Sequence, residues 1–326
     1  MAASSTARSA DRVSLLAGGR RVRRILFPRA AEAAPQSRAG IDPAPWLARL
    51  RRALQRGAFV LHFQPIVSLA DGRVSHHEAL LRLADEPDGR LVAPAAFLGA
   101  AERNGLIGEI DRMVIEQVAA LLSRRARLGR GPLGHAPGTP IAVNVSALSV
   151  TDRAMLEFLA RTLRRHVVAA EELIVEVTET AAISDMQAAR TFCAGVESLG
   201  CAIALDDFGA GFGSFQYLKH LPFTYLKIDG EFIRALPRSR TDQLVVKALV
   251  GIVGGLGRRT VAEYVGDAAT LEMVRAFGVD YAQGFQVGRP RAEPALALPS
   301  EGRRGARSPA AASAVRRAAP ASDRDR

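Results

Sequence analysis

Residues 46 to 295 alternate short apolar runs, many of them β-branched, with longer stretches in which apolar residues recur at helical spacing. The short runs predict eight strands, at residues 59–67, 76–83, 141–146, 173–178, 201–206, 224–228, 260–263 and 279–283. Between most of them lie helical patterns, for example at residues 151–166, 184–199 and 242–256. Helices between successive strands indicate parallel strands joined by crossover connections.

The first two runs are the exception, because only a short turn separates them. Its Asp71-Gly72 step is a hairpin signal, so this pair is predicted to be antiparallel. Eight strands with mostly helical crossovers favour a closed barrel over an open sheet. The predicted fold is therefore α/β, a modified (β/α)8 TIM-type barrel with an antiparallel first strand pair.

Polar residues occur in or at the carboxyl end of seven different predicted strands. They are Glu78, Asn144, Glu176, Asp206, Lys227, Glu263 and Gln283. In a (β/α)8 barrel these strand ends converge on one face, where such folds place their chemistry. Any one of them alone would more readily be interpreted as a strand-end residue solvated in a loop. Seven together predict a shared site, because ionised groups that are buried together must be paired or bound to metal.

The predicted ligand set is oxygen-only, made of carboxylates and one amide carbonyl, and the seven residues include neither histidine nor cysteine. Oxygen ligands favour hard cations such as Mg²⁺ or Mn²⁺. The adjacent acids Asp206 and Asp207 are suited to bridging two ions, and two-metal sites clamp both oxygens of a phosphoryl displacement. The residues thus indicate phosphodiester hydrolysis as the reaction class.

The net positive charge of the chain is concentrated in its two terminal segments. Residues 1–40 carry eight Arg against two acids, and residues 296–326 carry seven Arg against three acids. Of the net charge of +11, the tails hold +6 and +4 and residues 41–295 only +1. We expect a barrel at 41–295 with disordered basic arms at 1–40 and 296–326, and no DNA or RNA partner. Membrane-surface or protein contact through the tails stays open.

The chain has neither the cysteines of a disulfide framework nor an apolar stretch of membrane-spanning length. Cys193 and Cys201 match no metal motif and are expected to be core residues. No run approaches the ~18 apolar residues of a membrane span, and the Arg-containing start lacks a signal-peptide apolar region. The expected location is cytoplasmic.

Eight segments together closely resemble the EAL family of cyclic di-GMP phosphodiesterases, in family order and at family-like spacing. They are 61–67 (LHFQPIV), 78–82 (EALLR), 143–146 (VNVS), 176–179 (EVTE), 206–209 (DDFG), 226–229 (LKID), 262–263 (AE) and 283–285 (QGF). The resemblance implies hydrolysis of cyclic di-GMP to linear pGpG in bacterial signalling, with two Mg²⁺ or Mn²⁺ ions as cofactors.

The resemblance also implies roles for individual residues. It gives the metal ligands as Glu78, Asn144, Glu176, Asp206, Asp207 and Asp229. Lys227 and Glu263 resemble the pair that orients and deprotonates the attacking water.

Positions outside the metal site are implied in the same way. Gln64, Arg82 and Gln283 resemble residues that bind the nucleotide. Glu179, Gly209 and Gly211 resemble the residues that couple a loop to metal binding and to a homodimer contact.

The chain departs from the family pattern at Gly266, where a second acid usually follows Glu263 by three residues. Loss of an outer carboxylate can lower metal affinity or activity by about 10- to 100-fold. The alternative hypothesis is therefore a catalytically weak or silent EAL domain that acts as a cyclic di-GMP receptor or protein-interaction module. A barrel enzyme acting on a different phosphodiester is a third hypothesis. His76 and His77 also precede Glu78, and we expect both to be exposed.

Overall fold

In the part of the chain that the structure describes, eight strands hydrogen-bond in chain order and close into a barrel. The structure is a computed structural model that describes residues 43–84, 89–128, 138–209 and 216–292. The strands are β1 (Phe59–Ser68), β2 (Val74–Leu83), β3 (Ile141–Val145), β4 (Leu173–Thr178), β5 (Ala202–Phe208), β6 (Tyr225–Ile228), β7 (Arg259–Ala262) and β8 (Tyr281–Gln283). Every strand end lies within two residues of its predicted position.

Helices surround the barrel in the described part of the chain. They are α1 (Pro43–Arg56), α2 (Pro94–Arg103), α3 (Ile107–Leu128), α4 (Ala147–Thr151), α5 (Arg153–His166), α6 (Glu179–Ser184), α7 (Met186–Ser198), α8 (Gln216–His220), α9 (Gly230–Ala235), α10 (Arg240–Gly255) and α11 (Ala268–Ala276). The three predicted helical patterns correspond to α5, α7 and α10. Among the described helices, none is both long enough and apolar enough to cross a membrane.

The reversed direction of β1 is the one break in the parallel barrel. This strand pairs antiparallel with both β2 and β8, and all other neighbouring strands are parallel. The Asp71-Gly72 turn supplies the reversal, with Gly72 at φ 71° and the Asp71 carboxylate accepting a hydrogen bond from the Arg73 N–H at 3.1 Å. The predicted α/β barrel with an antiparallel first pair is confirmed.

Side-chain alternation along the strands separates an outer core from the barrel interior. Ile141, Val143 and Val145 of β3 belong to the large core between barrel and helices. Ala142, on the opposite face, packs in a separate small cluster with Ile174 and Ala204. Because side chains alternate with a period of two, Asn144, Glu176 and Asp206 stand on this inner face, one level above the cluster. The cluster is therefore a buried apolar layer beneath the polar residues.

The two histidines of β2 are buried, so the expectation that both are exposed is wrong. His76 is 2% and His77 6% exposed. The strand is covered on both faces, and His76 shares the inner face with Glu78, two positions along. Its ring lies 5.1 Å from that of Tyr225 and 6.0 Å from that of Tyr281. These three rings fill the barrel interior near the start of the parallel strands, and burial lowers the pKa of His76 to about 3.

The predictions about the cysteines and about the terminal arms have different outcomes. Cys193 and Cys201 are buried and free, as expected of core residues. The arms predicted at 1–40 and 296–326 lie outside the described residues, and the division of the chain at those points stays a prediction.

A buried carboxylate fixes the turn that follows β3. Asp111 of α3 is 2% exposed, and its Oδ2 accepts hydrogen bonds from the Ser146 N–H (3.0 Å), the Ser146 hydroxyl (2.6 Å) and the Ser149 hydroxyl (2.7 Å). Ser146 is the N-cap of α4 and stands two residues after Asn144. The long helix α3 thus anchors the end of the strand that presents Asn144.

Replacing Asp111 with Ala is expected to lower the free energy of unfolding by about 2–4 kcal/mol, because three buried donors lose their shared acceptor. Urea denaturation monitored by circular dichroism measures this change. Glu157→Ala, which removes an exposed ion pair with Arg161, is the control and should change the free energy by less than ~0.5 kcal/mol. Equal effects of the two substitutions would contradict the anchoring role of Asp111.

Candidate functional site

One buried ammonium group occupies the centre of the polar layer. Lys227 of β6 is 1% exposed. Its Nζ lies 2.9 Å from Glu176 Oε2, 2.9 Å from Asp206 Oδ1, 2.9 Å from Glu263 Oε1 and 3.4 Å from Glu78 Oε2. All four acids are at most 2% exposed. Although burial lowers the pKa of Lys227, the carboxylates outweigh it and raise this pKa well above its usual value, so the ammonium stays charged.

Amide side chains from β1, β3 and β8 complete the layer. Asn144 Nδ2 donates to Glu78 Oε1 at 2.8 Å, and Gln283 Nε2 donates to Glu78 Oε2 at 2.5 Å. Gln283 also donates to Gln64 Oε1 at 3.3 Å, and Gln64 Nε2 donates to the Gly288 carbonyl at 3.1 Å. The register pairs Gln64 with Glu78 across β1 and β2. The seven residues predicted from strand positions therefore form one connected cluster.

Negative charge exceeds positive charge in this cluster. Five carboxylates, Glu78, Glu176, Asp206, Asp207 and Glu263, face a single central lysine. Burial is the largest cause that raises the pKa of both Glu176 and Glu263, with Lys227 opposing it. Burial, followed by the charge of Asp206, raises the pKa of Asp207 to about 8. Without a further cation, protons must neutralise part of this charge at neutral pH.

The geometry suits a divalent cation. Carboxylate oxygens of Asp206, Asp207 and Glu263 lie within 4.8 Å of one another. Both oxygens of Asp206 are buried without a hydrogen bond, as are Glu176 Oε1 and Glu263 Oε2; the contact of Asp206 Oδ1 with Lys227 is an ion pair only. Buried oxygens without donors are costly unless a cation satisfies them. This oxygen-only set fits Mg²⁺ or Mn²⁺.

The backbone of β5 explains how two successive aspartates reach one site. Successive residues of a regular strand point to opposite faces. Here the register shifts between Leu205 and Phe208, and Asp207 adopts a left-handed conformation with φ 54°. This irregularity turns Asp207 toward the same oxygen cluster as Asp206.

Asp229 lies next to the cluster but is partly used elsewhere. It follows β6 and is the N-cap of α9, where its Oδ1 accepts a hydrogen bond from the Glu231 N–H at 2.6 Å. Its charge contributes to the raised pKa of Asp207, so the two groups are neighbours.

Arg82 lies four residues beyond Glu78 on the same face of β2, toward the mouth of the barrel. Its Nη1 donates to the Leu81 carbonyl at 2.8 Å. The positive charge of Arg82 helps to lower the pKa of His62, after burial. It is thus placed near the entrance, above the acidic cluster.

Glu179, at the first turn of α6, contacts the loop that follows β5. Its Oε2 accepts a hydrogen bond from the Gly209 N–H at 2.9 Å. Gly209 has φ 98°, and a Cβ there would lie 2.4 Å from Phe232 Cε2, so glycine is required. Gly211 lies outside the described residues.

Two residues that shape the site were not among the predicted site residues, although Gly284 stands in the 283–285 segment quoted above. Tyr264 directly follows Glu263 and has φ 51°, and Gly284 follows Gln283 with φ 154°. A Cβ on Gly284 would lie 2.2 Å from the Val265 carbonyl oxygen. The sequence offers no signal for Tyr264, because its residue type gives no indication of a left-handed backbone.

In the presence of a chelator, we expect the free energy of unfolding to fall by about 1 kcal/mol between pH 7 and 8. The folded protein retains a proton on Asp207, with its pKa of about 8, whereas the unfolded chain has lost it, so raising the pH favours unfolding. The pKa values of His76 and His77 are depressed to about 3 and 4, so these groups are largely neutral in both states in this interval.

Urea denaturation at each pH measures this decline. Asp207→Asn removes one contributing group and should show a shallower decline. A wild-type stability that rises over the same interval would contradict the proposed charge balance.

Comparison with known proteins places the chain in one family. The family model described as "EAL domain" matches residues 47–290. The chain is 35% identical over 247 residues to cyclic di-GMP phosphodiesterase PdeB of Shewanella oneidensis, which covers 76% of this chain and 28% of that protein. It is 39% identical over 241 residues to the bifunctional diguanylate cyclase/cyclic di-GMP phosphodiesterase MucR of Pseudomonas aeruginosa, covering 74% of this chain and 34% of that protein. The chain thus spans about a third of the length of these relatives.

Solved structures give the same result. The phosphodiesterase PaMucR in complex with c-di-GMP has a TM-score of 0.69 at 37% identity, covering 76% of this chain and 97% of that one. The FimX EAL domain of Pseudomonas aeruginosa bound to c-di-GMP has a TM-score of 0.68 at 32% identity, covering 76% of this chain and 96% of that one. Together with the barrel and its acidic cluster, these matches establish that the chain belongs to the EAL domain family.

Proposed function

We propose that the protein is a metal-dependent phosphodiesterase that hydrolyses cyclic di-GMP to linear pGpG and so lowers the level of this second messenger. The single observation that carries the proposal is the cluster of four buried carboxylates around Lys227, joined by the half-buried Asp207, with buried oxygen atoms that have no hydrogen-bond donor. A structural salt-bridge network would be balanced in charge and saturated in hydrogen bonds. This one is neither, which supports a site built for a cation.

The acidic cluster divides naturally into two proposed metal-binding groups. We propose that one ion is held by Glu78, Asn144, Glu176 and Asp206, and that Asp207 and Asp229 contribute to a second. When bound, such ions would neutralise the charge of the phosphodiester and of the displaced oxygen.

Glu263 and Lys227 are proposed to carry the proton chemistry. Burial raises the pKa of Glu263, which makes its carboxylate a stronger base toward the attacking water. Lys227 Nζ, 2.9 Å from Glu263 Oε1, orients this base and supplies positive charge. The water oxygen attacks phosphorus, Glu263 accepts the proton, and the bond from phosphorus to the 3′ oxygen breaks. The 3′ oxygen takes a proton from solvent, which leaves a linear dinucleotide with a 5′ phosphate.

Substrate binding is proposed for residues at and above the acidic layer. Arg82 is suited to a phosphate because its guanidinium presents donors in a planar fork. Gln64 and Gln283 bridge the layer to the mouth through their mutual hydrogen bond of 3.3 Å. The ligand itself is proposed from the relatives described above, two of whose structures contain cyclic di-GMP.

A homodimer coupled to the metal site is part of the same proposal. Glu179 joins α6 to Gly209, only two residues after Asp207, through the 2.9 Å hydrogen bond. A movement of α6 would therefore be transmitted to the aspartate pair. The partner surface itself is proposed from the family resemblance.

The receptor hypothesis rests on Gly266. This residue is exposed, and the nearest atom to a Cβ built there is the Tyr264 carbonyl oxygen at 3.8 Å. Beyond the two neighbouring residues of the chain, no other described atom lies within 4 Å of that Cβ, so the Cβ itself would not touch the acidic cluster. The second candidate function, a cyclic di-GMP receptor without catalysis, would give binding without turnover.

Purified protein with Mn²⁺ or Mg²⁺ is expected to convert cyclic di-GMP to pGpG, measured by chromatography of the nucleotides. Glu263→Gln should lower kcat by about 10²- to 10⁴-fold, because the amide cannot accept the proton. Glu272→Gln, on the exposed surface of α11, is the matched control and should retain full activity.

The outcomes of this experiment separate the hypotheses. Binding of cyclic di-GMP by the wild type without turnover under either metal would favour the receptor. Turnover of another phosphodiester in preference to cyclic di-GMP would overturn the assigned substrate. Equal activity of Glu263→Gln and wild type would remove Glu263 from the chemistry.

Metal binding can be tested without turnover. We expect isothermal titration calorimetry with Mn²⁺ to show an affinity at least about tenfold lower in Asp206→Asn than in wild type, since the amide replaces one anionic oxygen. The Glu272→Gln protein again serves as control. Indistinguishable Mn²⁺ affinities in all three proteins would show that the Asp206 carboxylate does not hold the ion.

A further inference from the structure

The residue after the proposed base has an unfavourable backbone conformation. Tyr264 has φ 51°, in the left-handed region that costs a non-glycine residue about 1–2 kcal/mol. Within the described residues, positive φ outside glycine occurs at Val167, Asp207 and Tyr264. Asp207 belongs to the acidic cluster, and Tyr264 directly follows one of its members. Strained backbone at such places persists only where the surrounding structure enforces it.

On the two sides of Tyr264, the backbone hydrogen-bonds to two different strands. The Glu263 N–H donates to the Ile228 carbonyl of β6 at 3.2 Å. Two residues later, the Val265 N–H donates to the Gln283 carbonyl of β8 at 2.9 Å. The conformation at Tyr264 thus sets the position of Glu263 relative to Lys227 on one side and Gln283 on the other.

The Tyr264 ring packs against Gly230, at a position where only glycine leaves room for it. A Cβ on Gly230, the first residue of α9, would lie 2.2 Å from Tyr264 Cδ2 and 2.8 Å from Arg234 Nη1. The Arg234 guanidinium carbon lies 4.6 Å from the centroid of the Tyr264 ring, a cation–π distance. The ring and the guanidinium therefore both cover Gly230, directly after the strand that carries Lys227.

We propose that Tyr264 is a positioning residue: its ring, seated on Gly230 beside Arg234, holds the left-handed turn that aims Glu263 at Lys227 and the Asp206–Asp207 pair. The inference rests on the proposed phosphodiesterase function, in which Glu263 is the base. Burial, with the nearby Glu263 and Asp207 carboxylates, raises the pKa of the Tyr264 phenol, and the role proposed for this residue is to hold the backbone in place.

Four variants test this role: Tyr264→Phe, Tyr264→Gly, Gly230→Ala and the double variant Tyr264→Gly/Gly230→Ala. Phe retains the ring, so kcat should stay within about twofold of wild type. Gly removes the ring while relieving the backbone cost, so the protein should fold, yet kcat should fall by about 10- to 100-fold with KM within about twofold, as for a small misplacement of a catalytic group. Retention of wild-type kcat by Tyr264→Gly would overturn the proposal.

The second site provides an internal control. Gly230→Ala should lower kcat because the new methyl group displaces the ring, although alanine at this helix position is otherwise favourable. In the Tyr264→Gly background the same substitution should cost less than about twofold, since no ring remains to be displaced. An equal loss in both backgrounds would show that Gly230 acts independently of Tyr264, which contradicts the proposal.

A readout independent of turnover separates this inference from the proposed function. Amide hydrogen exchange at Glu263 and Val265, measured by NMR, should be faster in Tyr264→Gly than in wild type and unchanged in Tyr264→Phe. If the wild type shows no turnover of cyclic di-GMP, the phosphodiesterase proposal fails while exchange still reports on the turn. Unchanged exchange in Tyr264→Gly would overturn the role of the ring whatever the activity.

Discussion

The contact of Lys227 with four buried carboxylates is the interaction on which the rest of the site depends. An ammonium group that is 1% exposed is tolerable only because Glu78, Glu176, Asp206 and Glu263 surround it. The carboxylates in turn remain partly ionised because the lysine is there, and one lysine is too little for five acids. That imbalance makes the site receptive to cations, and it follows from the folded geometry alone.

The barrel below the site supports this imbalance by excluding water. Ala142, Ile174 and Ala204 form a buried apolar layer directly under the polar residues, and the rings of His76, Tyr225 and Tyr281 lie further down the interior. A neutral, buried His76 keeps positive charge away from the lower side of Lys227. Exchange of water and ions with the acidic layer is thereby directed to the mouth, where Arg82 and His62 lie. Electrostatic interactions in such a buried environment are stronger than in water.

Much of this arrangement could be predicted from the sequence, because hydrophobic periodicity reports directly on strands and on which face is buried. All eight strands and the clustering of Glu78, Asn144, Glu176 and Asp206 follow from that pattern. The burial of His76 and His77 does not, since alternation cannot show that both faces of β2 are covered. The conformations of Asp207 and Tyr264 were equally inaccessible, because neither residue type favours positive φ strongly enough to indicate it.

Two of the three left-handed residues other than glycine, Asp207 and Tyr264, lie at acidic strand ends for a common reason. A parallel strand that ended regularly would direct alternate side chains into and out of the barrel, so a single strand could offer only one ligand at a given level. The turn at Asp207 adds a second carboxylate from β5. At Tyr264, just after Glu263, the backbone stops hydrogen-bonding to β6 and begins hydrogen-bonding to β8. Together the two left-handed residues cost about 2–4 kcal/mol, which the packed barrel must offset. Concentrating acids at one level of the barrel therefore requires both electrostatic and conformational strain at the same place, and a cation at this level would relieve the electrostatic part.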